Sequence, residues 1–112
     1  MNLGFIGTGN IVSDVIIGIS KSKIRYKKII ISPRNKKKAL YLKKYFKKVI
    51  IAKDNQEVIN KSNWVFLGIL PKVGEAILPK LQFRNKQIIV SFMSTTNYSK
   101  LKKLIKAKLT II

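Results

Sequence analysis

A short glycine motif, Gly7-Thr8-Gly9, lies between an apolar run at residues 3–6 and a segment with helical spacing. This order predicts a strand, a tight turn and a helix. Gly7 would let the chain turn sharply, and Gly9 would let a pyrophosphate approach backbone N–H groups at the helix N-terminus. The third motif position favours Gly or Ala. Val12 occupies it here, and we expect its branched side chain to push the helix slightly outward.

The segment after the second predicted strand reads Ser32-Pro33-Arg34-Asn35 and continues with three lysines. NAD-specific domains place an acidic residue there, on the ribose 2′-hydroxyl. No acid lies between Asp14 and Asp54. A carboxylate would repel a 2′-phosphate, whereas a hydroxyl and the Arg34 guanidinium would bind one. The sequence therefore predicts NADP(H) in preference to NAD(H), and the alternative is a solvated basic turn.

Several chemistries are excluded because the residue types that they need are missing. The chain contains neither His nor Cys, which excludes a transition-metal site, a His-based triad and a disulfide. Its four acids are Asp14, Asp54, Glu57 and Glu75, and the spacing of Asp54 and Glu57 suits a helix start better than catalysis. We therefore predict no metal site and assign no catalytic residue.

The charge is strongly positive, with 24 Lys and Arg residues against 4 acids and a net charge of +20. Clustered lysines would favour a polyanion partner. However, the lysines accompany abundant Ile and Asn and are spread along most helical faces, so a compositional bias explains them better. We do not expect nucleic acid as a partner. No apolar run approaches the roughly 18 residues of a membrane span, and we expect no membrane partner and a cytoplasmic location.

Strand and helix patterns alternate along the whole chain. The predicted strands cover residues 3–6, 28–32, 49–51, 64–69 and 87–91, and a sixth starts at 109. The first two predicted helices cover residues 10–20 and 36–46, and Asn35 can cap the second. The third is capped by Asp54 or Asn55, the fourth includes Val73, Ala76 and Ile77 and ends at Pro79, and the fifth has Asn97 as its candidate cap. Without any hairpin signal, this order predicts an α/β fold: a doubly wound, mostly parallel sheet of about six strands with helices on both faces.

Apolar stripes predict which helix residues face the sheet. On the first helix the stripe is Ile11, Val15, Ile16 and Ile19. On the second helix we expect Ala39, Leu40, Leu42 and either Tyr45 or Phe46 to point inward, with the lysines outward.

Five segments resemble the cofactor domain of the pyrroline-5-carboxylate reductase family, in order and over nearly the whole chain. They are Gly4-Phe-Ile-Gly-Thr-Gly-Asn-Ile11, Ile31-Ser-Pro-Arg-Asn35, Asp54-Asn-Gln-Glu-Val58, Trp64-Val-Phe-Leu-Gly-Ile-Leu-Pro71 and Ile88-Ile-Val-Ser91. The third segment is the most specific, because the related 3-hydroxyacid dehydrogenases share the glycine turn but lack it. The resemblance implies a Rossmann fold and hydride transfer from NAD(P)H to the cyclic imine pyrroline-5-carboxylate, which forms proline.

The resemblance also implies a cofactor site at the carboxyl ends of the strands. The pyrophosphate would lie against Ile6, Gly7, Thr8, Gly9, Asn10 and Ile11. The 2′-phosphate would meet Ser32 and Arg34, and Asn55 would lie by the adenosine ribose. The nicotinamide side would be lined by Gly68, Ile69, Leu70, Pro71, Phe92, Met93 and Ser94.

Two segments depart from the family pattern. The family usually has Val-Lys-Pro before the fourth crossover, whereas this chain has Ile69-Leu70-Pro71, with Lys72 one step past the proline. The family's small Ala-Ala-Gly run is here Met93-Ser94-Thr95-Thr96, which is bulkier and more polar. These differences fit a reductase-like paralogue as well as a proline-pathway enzyme.

In the family, a helical second domain follows and supplies the dimer contacts and most of the imine pocket. We therefore expect residues 1–112 to be the dinucleotide-binding domain of an NAD(P)H-dependent oxidoreductase, binding cofactor without turnover on its own. We expect a helical dimerisation and substrate domain downstream, absent from this chain, and a homo-oligomeric full-length protein. The alternatives are a non-catalytic dinucleotide-sensing domain and, less favoured, a basic nucleic-acid-binding module.

Overall fold

A computed structural model of the protein describes residues 1–105 and 110–112. In this part of the chain, five strands of three to five residues and a two-residue sixth form one parallel sheet. The strands are β1 (Asn2–Ile6), β2 (Lys28–Ile31), β3 (Val49–Ile51), β4 (Trp64–Leu67), β5 (Ile88–Ser91) and β6 (Thr110–Ile111). Their spatial order is β3-β2-β1-β4-β5-β6. This arrangement confirms the predicted doubly wound sheet. Residue 109, where we expected β6 to start, lies outside the described residues.

The helices connect successive strands, as the crossovers of a parallel sheet require. They are α1 (Asn10–Lys21), α2 (Lys36–Tyr45), α3 (Asn55–Asn60), α4 (Pro71–Ile77) and α5 (Tyr98–Leu104). Pro79 lies in a 3₁₀ turn, Leu78–Lys80, that continues α4. Within the described residues, no helix has the length and apolar character needed to cross a membrane.

Three helices begin at a polar side chain that accepts a backbone N–H bond. Asn35 accepts from Lys38 at the start of α2, and Asn97 accepts from Lys100 at the start of α5. These two predicted caps are confirmed. For α3 the cap is Asp54, whose carboxylate accepts from the N–H of Glu57, so the choice left open by the sequence falls on the aspartate.

The sheet separates two apolar cores, because successive strand residues point to opposite faces. On β1, for example, Leu3 and Phe5 pack under α1 and α2, whereas Ile6 packs on the side of α3, α5 and the 3₁₀ turn. The ring of Phe5 stacks on that of its register neighbour Phe66, with the centroids 4.5 Å apart. Burial on both faces explains why β1, β2 and β4 are nearly all apolar.

The predicted stripes of α1 and α2 were each wrong at one position. Ile11 is 57% exposed, and the buried residues of α1 are Val12 and Ile16. Leu40 is 51% exposed, whereas Ala39 and Leu42 are buried. In both helices a neighbouring apolar residue lies closer to the centre of the inward face, since consecutive helical residues are about 100° apart. Val12, noted in the sequence only as a departure from the motif, is therefore a core residue.

Candidate dinucleotide site at the carboxyl edge of the sheet

The turn after β1 requires glycine at its first position. Gly7 has a φ angle of +103°, in the region that side chains rarely adopt. A Cβ at Gly7 would also overlap the backbone carbonyl oxygen of Gly68, the first residue after β4. The turns that follow β1 and β4 therefore touch through their backbones, at the carboxyl edge of the sheet.

The N-terminus of α1 lacks a side-chain cap. Gly9 occupies the N-cap position in an extended conformation, and no side chain accepts a hydrogen bond from the first turn. The helical bonding begins with the N–H of Ser13, which donates to the Gly9 carbonyl over 3.0 Å. The backbone N–H groups of the first turn, which have no partners in the helix, are therefore free to meet an anion. A Cβ on Gly9 would have no other heavy atom within 4 Å, so space is open in front of them.

Val12, at the third motif position, is fully buried against the sheet. The chain provides space for it at Gly68, because a Cβ on Gly68 would overlap Cγ2 of Val12. Gly68 is held in place by its N–H, which donates to the carbonyl of Ile6 over 2.9 Å. Val12, the residue that departs from the glycine motif, thus packs against Gly68.

Two adjoining cavities run along this carboxyl edge. The first, of about 630 Å³, is lined by Ser32, Pro33, Arg34, Lys53, Asp54, Asn55, Lys72, Val73, Ala76 and Ile77. The second, of about 470 Å³, is lined by Gly7, Thr8, Gly9, Arg34, Asn35, Lys36, Gly68, Ile69, Leu70 and Val73. Arg34 and Val73 border both, so the two form one groove, which we call the carboxyl-edge groove. Each part has the size of a small-molecule site.

The carboxyl-edge groove is basic. Arg34, Lys36, Lys53 and Lys72 line it, and its acidic lining residue, Asp54, already accepts the N–H of Glu57 over 2.8 Å. A further ammonium lies at the start of α1, where Lys38 Nζ donates to Oδ1 of Asn10 over 2.9 Å. Cationic side chains and open N–H groups together suit a ligand with several negative charges.

The structure brings nine of the predicted site residues into the lining of the groove: Gly7, Thr8, Gly9, Ser32, Arg34, Asn55, Gly68, Ile69 and Leu70. Among them, Arg34 is exposed, whereas Ser32 is 1% exposed. The Oδ1 atom of Asn55 is buried and has no hydrogen-bond partner among the described residues. The polar lining thus combines the exposed guanidinium of Arg34 with the buried polar groups of Ser32 and Asn55.

The other predicted site residues lie outside the lining of both cavities. Ile6, Asn10, Ile11 and Pro71 lie within two residues of lining residues in the chain. Phe92 and Met93 pack in the two cores, and Ser94 is exposed in the loop before α5.

Lining residues that the sequence argument missed include Lys36, Lys53 and Lys72. In the sequence, Lys72 is one step past Pro71, whereas the family's lysine precedes the proline. Lys72 lines the larger cavity together with Arg34, since Pro71 starts α4 and puts residue 72 in its first turn. The position of that proline was the signal available in the sequence.

A sequence model of the family described as NADP oxidoreductase, coenzyme F420-dependent, matches residues 2–95. The chain belongs to this family. It is an NAD(P)-binding domain of the oxidoreductase type, which agrees with its glycine turn and basic groove. A search of curated proteins gives no match.

Two solved structures similar to this oxidoreductase-family domain are pyrroline-5-carboxylate reductases, as the sequence motifs indicated. The enzyme from Streptococcus pyogenes is 26% identical with a TM-score of 0.76, and the match covers 94% of this chain and 38% of that one. The enzyme from Coxiella burnetii is 20% identical with a TM-score of 0.81, covering 94% and 40%. The chain thus spans about two fifths of the length of these relatives, and the second likeness concerns the fold alone.

Proposed function

We propose that this domain binds NADP(H) in preference to NAD(H) in the carboxyl-edge groove. The observation that carries the proposal is the position of Arg34, exposed after β2 where the two cavities meet. An acid at the end of β2 would select NAD(H), and residues 15–53 contain none. Asp54, the nearest acid in the groove, is engaged as the cap of α3.

The cofactor would lie along the groove, with its phosphate groups at the uncapped N-terminus of α1 and at the basic side chains around Arg34. The uncapped N-terminus of α1 would receive the pyrophosphate, and Arg34, aided by Lys53 and Lys72, would bind the 2′-phosphate. The predicted adenosine ribose contact is Asn55, whose Oδ1 has no partner among the described residues. The nicotinamide would extend toward Gly68 and Leu70.

We further propose that the full-length protein reduces a cyclic imine, as its resemblance to pyrroline-5-carboxylate reductases suggests. NADPH would supply a hydride to the imine carbon, and the ring nitrogen would take a proton. This chain would bind and orient the cofactor. A helical domain following residue 112 would complete the imine pocket and the oligomer contacts, so the 112-residue chain alone would bind cofactor without turnover.

A second candidate function is dinucleotide sensing without catalysis. The observation that favours it is Leu70, which is 73% exposed at the position where the resembling family carries a lysine. The two candidates share the cofactor site and differ in whether the full-length protein reduces an imine.

Cofactor preference is tested by titrating the 112-residue chain with NADPH and with NADH by calorimetry. We expect tighter binding of NADPH. Arg34→Ala should weaken NADPH binding by roughly 10- to 100-fold, because a hydrogen bond to a charged group contributes about 1.5–3 kcal/mol, and should leave NADH binding unchanged. Arg25→Ala is the matched control, since Arg25 is an exposed arginine between α1 and β2, away from the groove. Equal affinity for both cofactors, or equal losses in both variants, would contradict the proposal.

A further inference from the structure

The third position of the glycine motif normally holds a small residue because the helix must pack close to the strand there. In this chain that position is Val12, which is fully buried in the core under α1 and α2. Its neighbours in that core include Phe5, Ile16 and Ile31. A β-branched side chain in a helix is restricted at χ1, so Val12 cannot easily rotate away from a close neighbour.

Gly68 provides the missing space from the opposite side. Among the described glycines, only Gly7 has a positive φ angle. The backbone conformation of Gly68 therefore does not itself require glycine. What requires glycine is the close approach of Val12 Cγ2. The Gly68 carbonyl in turn lies where a Cβ on Gly7 would be. Gly68 therefore lies close both to Val12 of α1 and to Gly7 in the turn after β1.

We propose that the contact between Val12 and Gly68 sets the distance of α1 from the sheet, and with it the position of the phosphate-binding N–H groups. The motif normally has its small residue on the helix, whereas in this chain the helix carries Val12 and the small residue is Gly68, just after β4. Gly68 is then a positioning residue as well as a wall of the groove. This inference rests on the proposed dinucleotide site.

The pyrophosphate site is sensitive to this distance because hydrogen bonds weaken steeply outside about 2.7–3.2 Å. A Cβ on Gly68 must displace Val12, and Val12 carries α1 with it. The open N–H groups of the first turn would then move away from the turn formed by Gly7 and Gly9. Removing the two methyl groups of Val12 would relieve that displacement.

The test is a double-mutant cycle with Val12→Ala, Gly68→Ala and the double variant. NADPH affinity is measured by calorimetry and unfolding by urea. Gly68→Ala alone should weaken NADPH binding by at least about tenfold, while Val12→Ala alone should change it by less than about threefold. The double variant should recover most of the affinity lost in Gly68→Ala. It should also have a higher urea midpoint than Gly68→Ala, even if that single variant folds poorly.

The matched control is Gly4→Ala in β1. A Cβ at Gly4 would overlap Ser62 and Val58, which lie outside the lining of the groove, so we expect lower stability but unchanged NADPH affinity of the folded fraction. Additive losses in the double variant, with NADPH binding by the unchanged chain, would overturn this inference alone. No dinucleotide binding by the unchanged chain would overturn the proposed function, and this inference with it.

Discussion

Where the chain enters β1, β4 and β5, at the amino edge of the sheet, polar side chains bond to the backbone of neighbouring segments. Where it leaves β1 and β4, at the carboxyl edge, glycines and uncapped N–H groups leave the backbone open. Gln87 shows the first arrangement. It is 3% exposed, its Nε2 donates to the carbonyls of Ile59 and Ser62 over 2.8 and 2.9 Å, and its Oε1 accepts from the N–H of Arg84 over 2.7 Å. The Arg84 guanidinium donates to the Ser62 carbonyl over 2.6 Å.

A second group of contacts at the amino edge joins β1 to β4. The N–H of Asn2 donates to Oδ1 of Asn63 over 2.7 Å, and the Asn2 amide donates to the carbonyl of Lys61 over 2.9 Å. Together with Gln87, these contacts hold the segments that enter β1, β4 and β5. The corresponding segments that leave β1 and β4 contain Gly7, Gly9 and Gly68 and have no such side-chain bonds among the described residues.

This difference shows how one fold separates stability from binding. Backbone groups at the amino edge are satisfied internally, so they add to stability and leave little for a ligand. Where β1 and β4 end, the same kind of group is left for a ligand. Substitutions at the amino edge should therefore change the free energy of unfolding without changing NADPH affinity, whereas those at the carboxyl edge should change affinity. The predictions below run from the largest expected change in unfolding free energy to the smallest.

Gly7→Ala should have the largest effect. The new Cβ would be strained at a φ of +103° and would overlap the Gly68 carbonyl, so we expect a loss of about 3 kcal/mol or more in the free energy of unfolding. NADPH binding should be lost as well, because the turn would no longer close. Urea unfolding and calorimetry measure the two effects. Gly18→Ala is the control, because Gly18 lies inside α1 and a Cβ there would have no heavy atom within 4 Å beyond the surrounding turns of the helix. Since alanine is favoured over glycine inside a helix, this variant should raise the free energy of unfolding by roughly 0.5–1 kcal/mol. Wild-type stability in Gly7→Ala would show that the two turns do not touch as described.

Gln87→Leu should lower the free energy of unfolding by about 2–3 kcal/mol, since it removes three hydrogen bonds of a buried amide and leaves the N–H of Arg84 without its acceptor. NADPH affinity, measured on the folded fraction, should stay unchanged. Gln82→Leu is the matched control, because Gln82 is exposed and bonds to the Gln56 side chain through its backbone N–H and carbonyl. We expect its unfolding free energy to stay within about 0.5 kcal/mol of the unchanged chain. A change in NADPH affinity in Gln87→Leu would contradict the view that residues at the amino edge affect stability and not cofactor binding.

The fold and the turn chemistry could be predicted from the sequence because they depend on local patterns. The apolar strands β1, β2 and β4, the glycines after β1 and the capping residues Asn35 and Asn97 each have a signal within a few residues. These signals also agreed with one another, which is why the predicted sheet was right as a whole.

Features that depend on contacts between distant segments could not be predicted in the same way. The fit of Val12 against Gly68 joins α1 to the turn after β4, and nothing near either residue indicates the other. The exposure of Leu40 depends on which part of α2 faces the sheet, and a short apolar cluster leaves that choice open. The presence of Lys72 in the same cavity as Arg34 likewise depends on how the start of α4 is placed relative to the segment after β2.

Gly9→Asp should have the smallest effect on stability and the opposite effect on binding. The extended backbone of Gly9 and the open space around it would accept a side chain that caps α1, as Asp54 caps α3. We expect the free energy of unfolding to rise by a few tenths of a kcal/mol, since glycine is only slightly worse than aspartate as a cap.

The same carboxylate would occupy the N–H groups of α1 and repel the pyrophosphate, so NADPH affinity should fall by at least about tenfold. Gly9→Asn is the matched control, because it caps without the charge and should weaken binding less. A more stable Gly9→Asp variant with undiminished NADPH affinity would mean that the first turn of α1 is not the anion site. The open carboxyl edge would then need another explanation. A gain in stability paired with a loss of binding would instead indicate that α1 lacks a cap because the ligand itself completes the helix N-terminus.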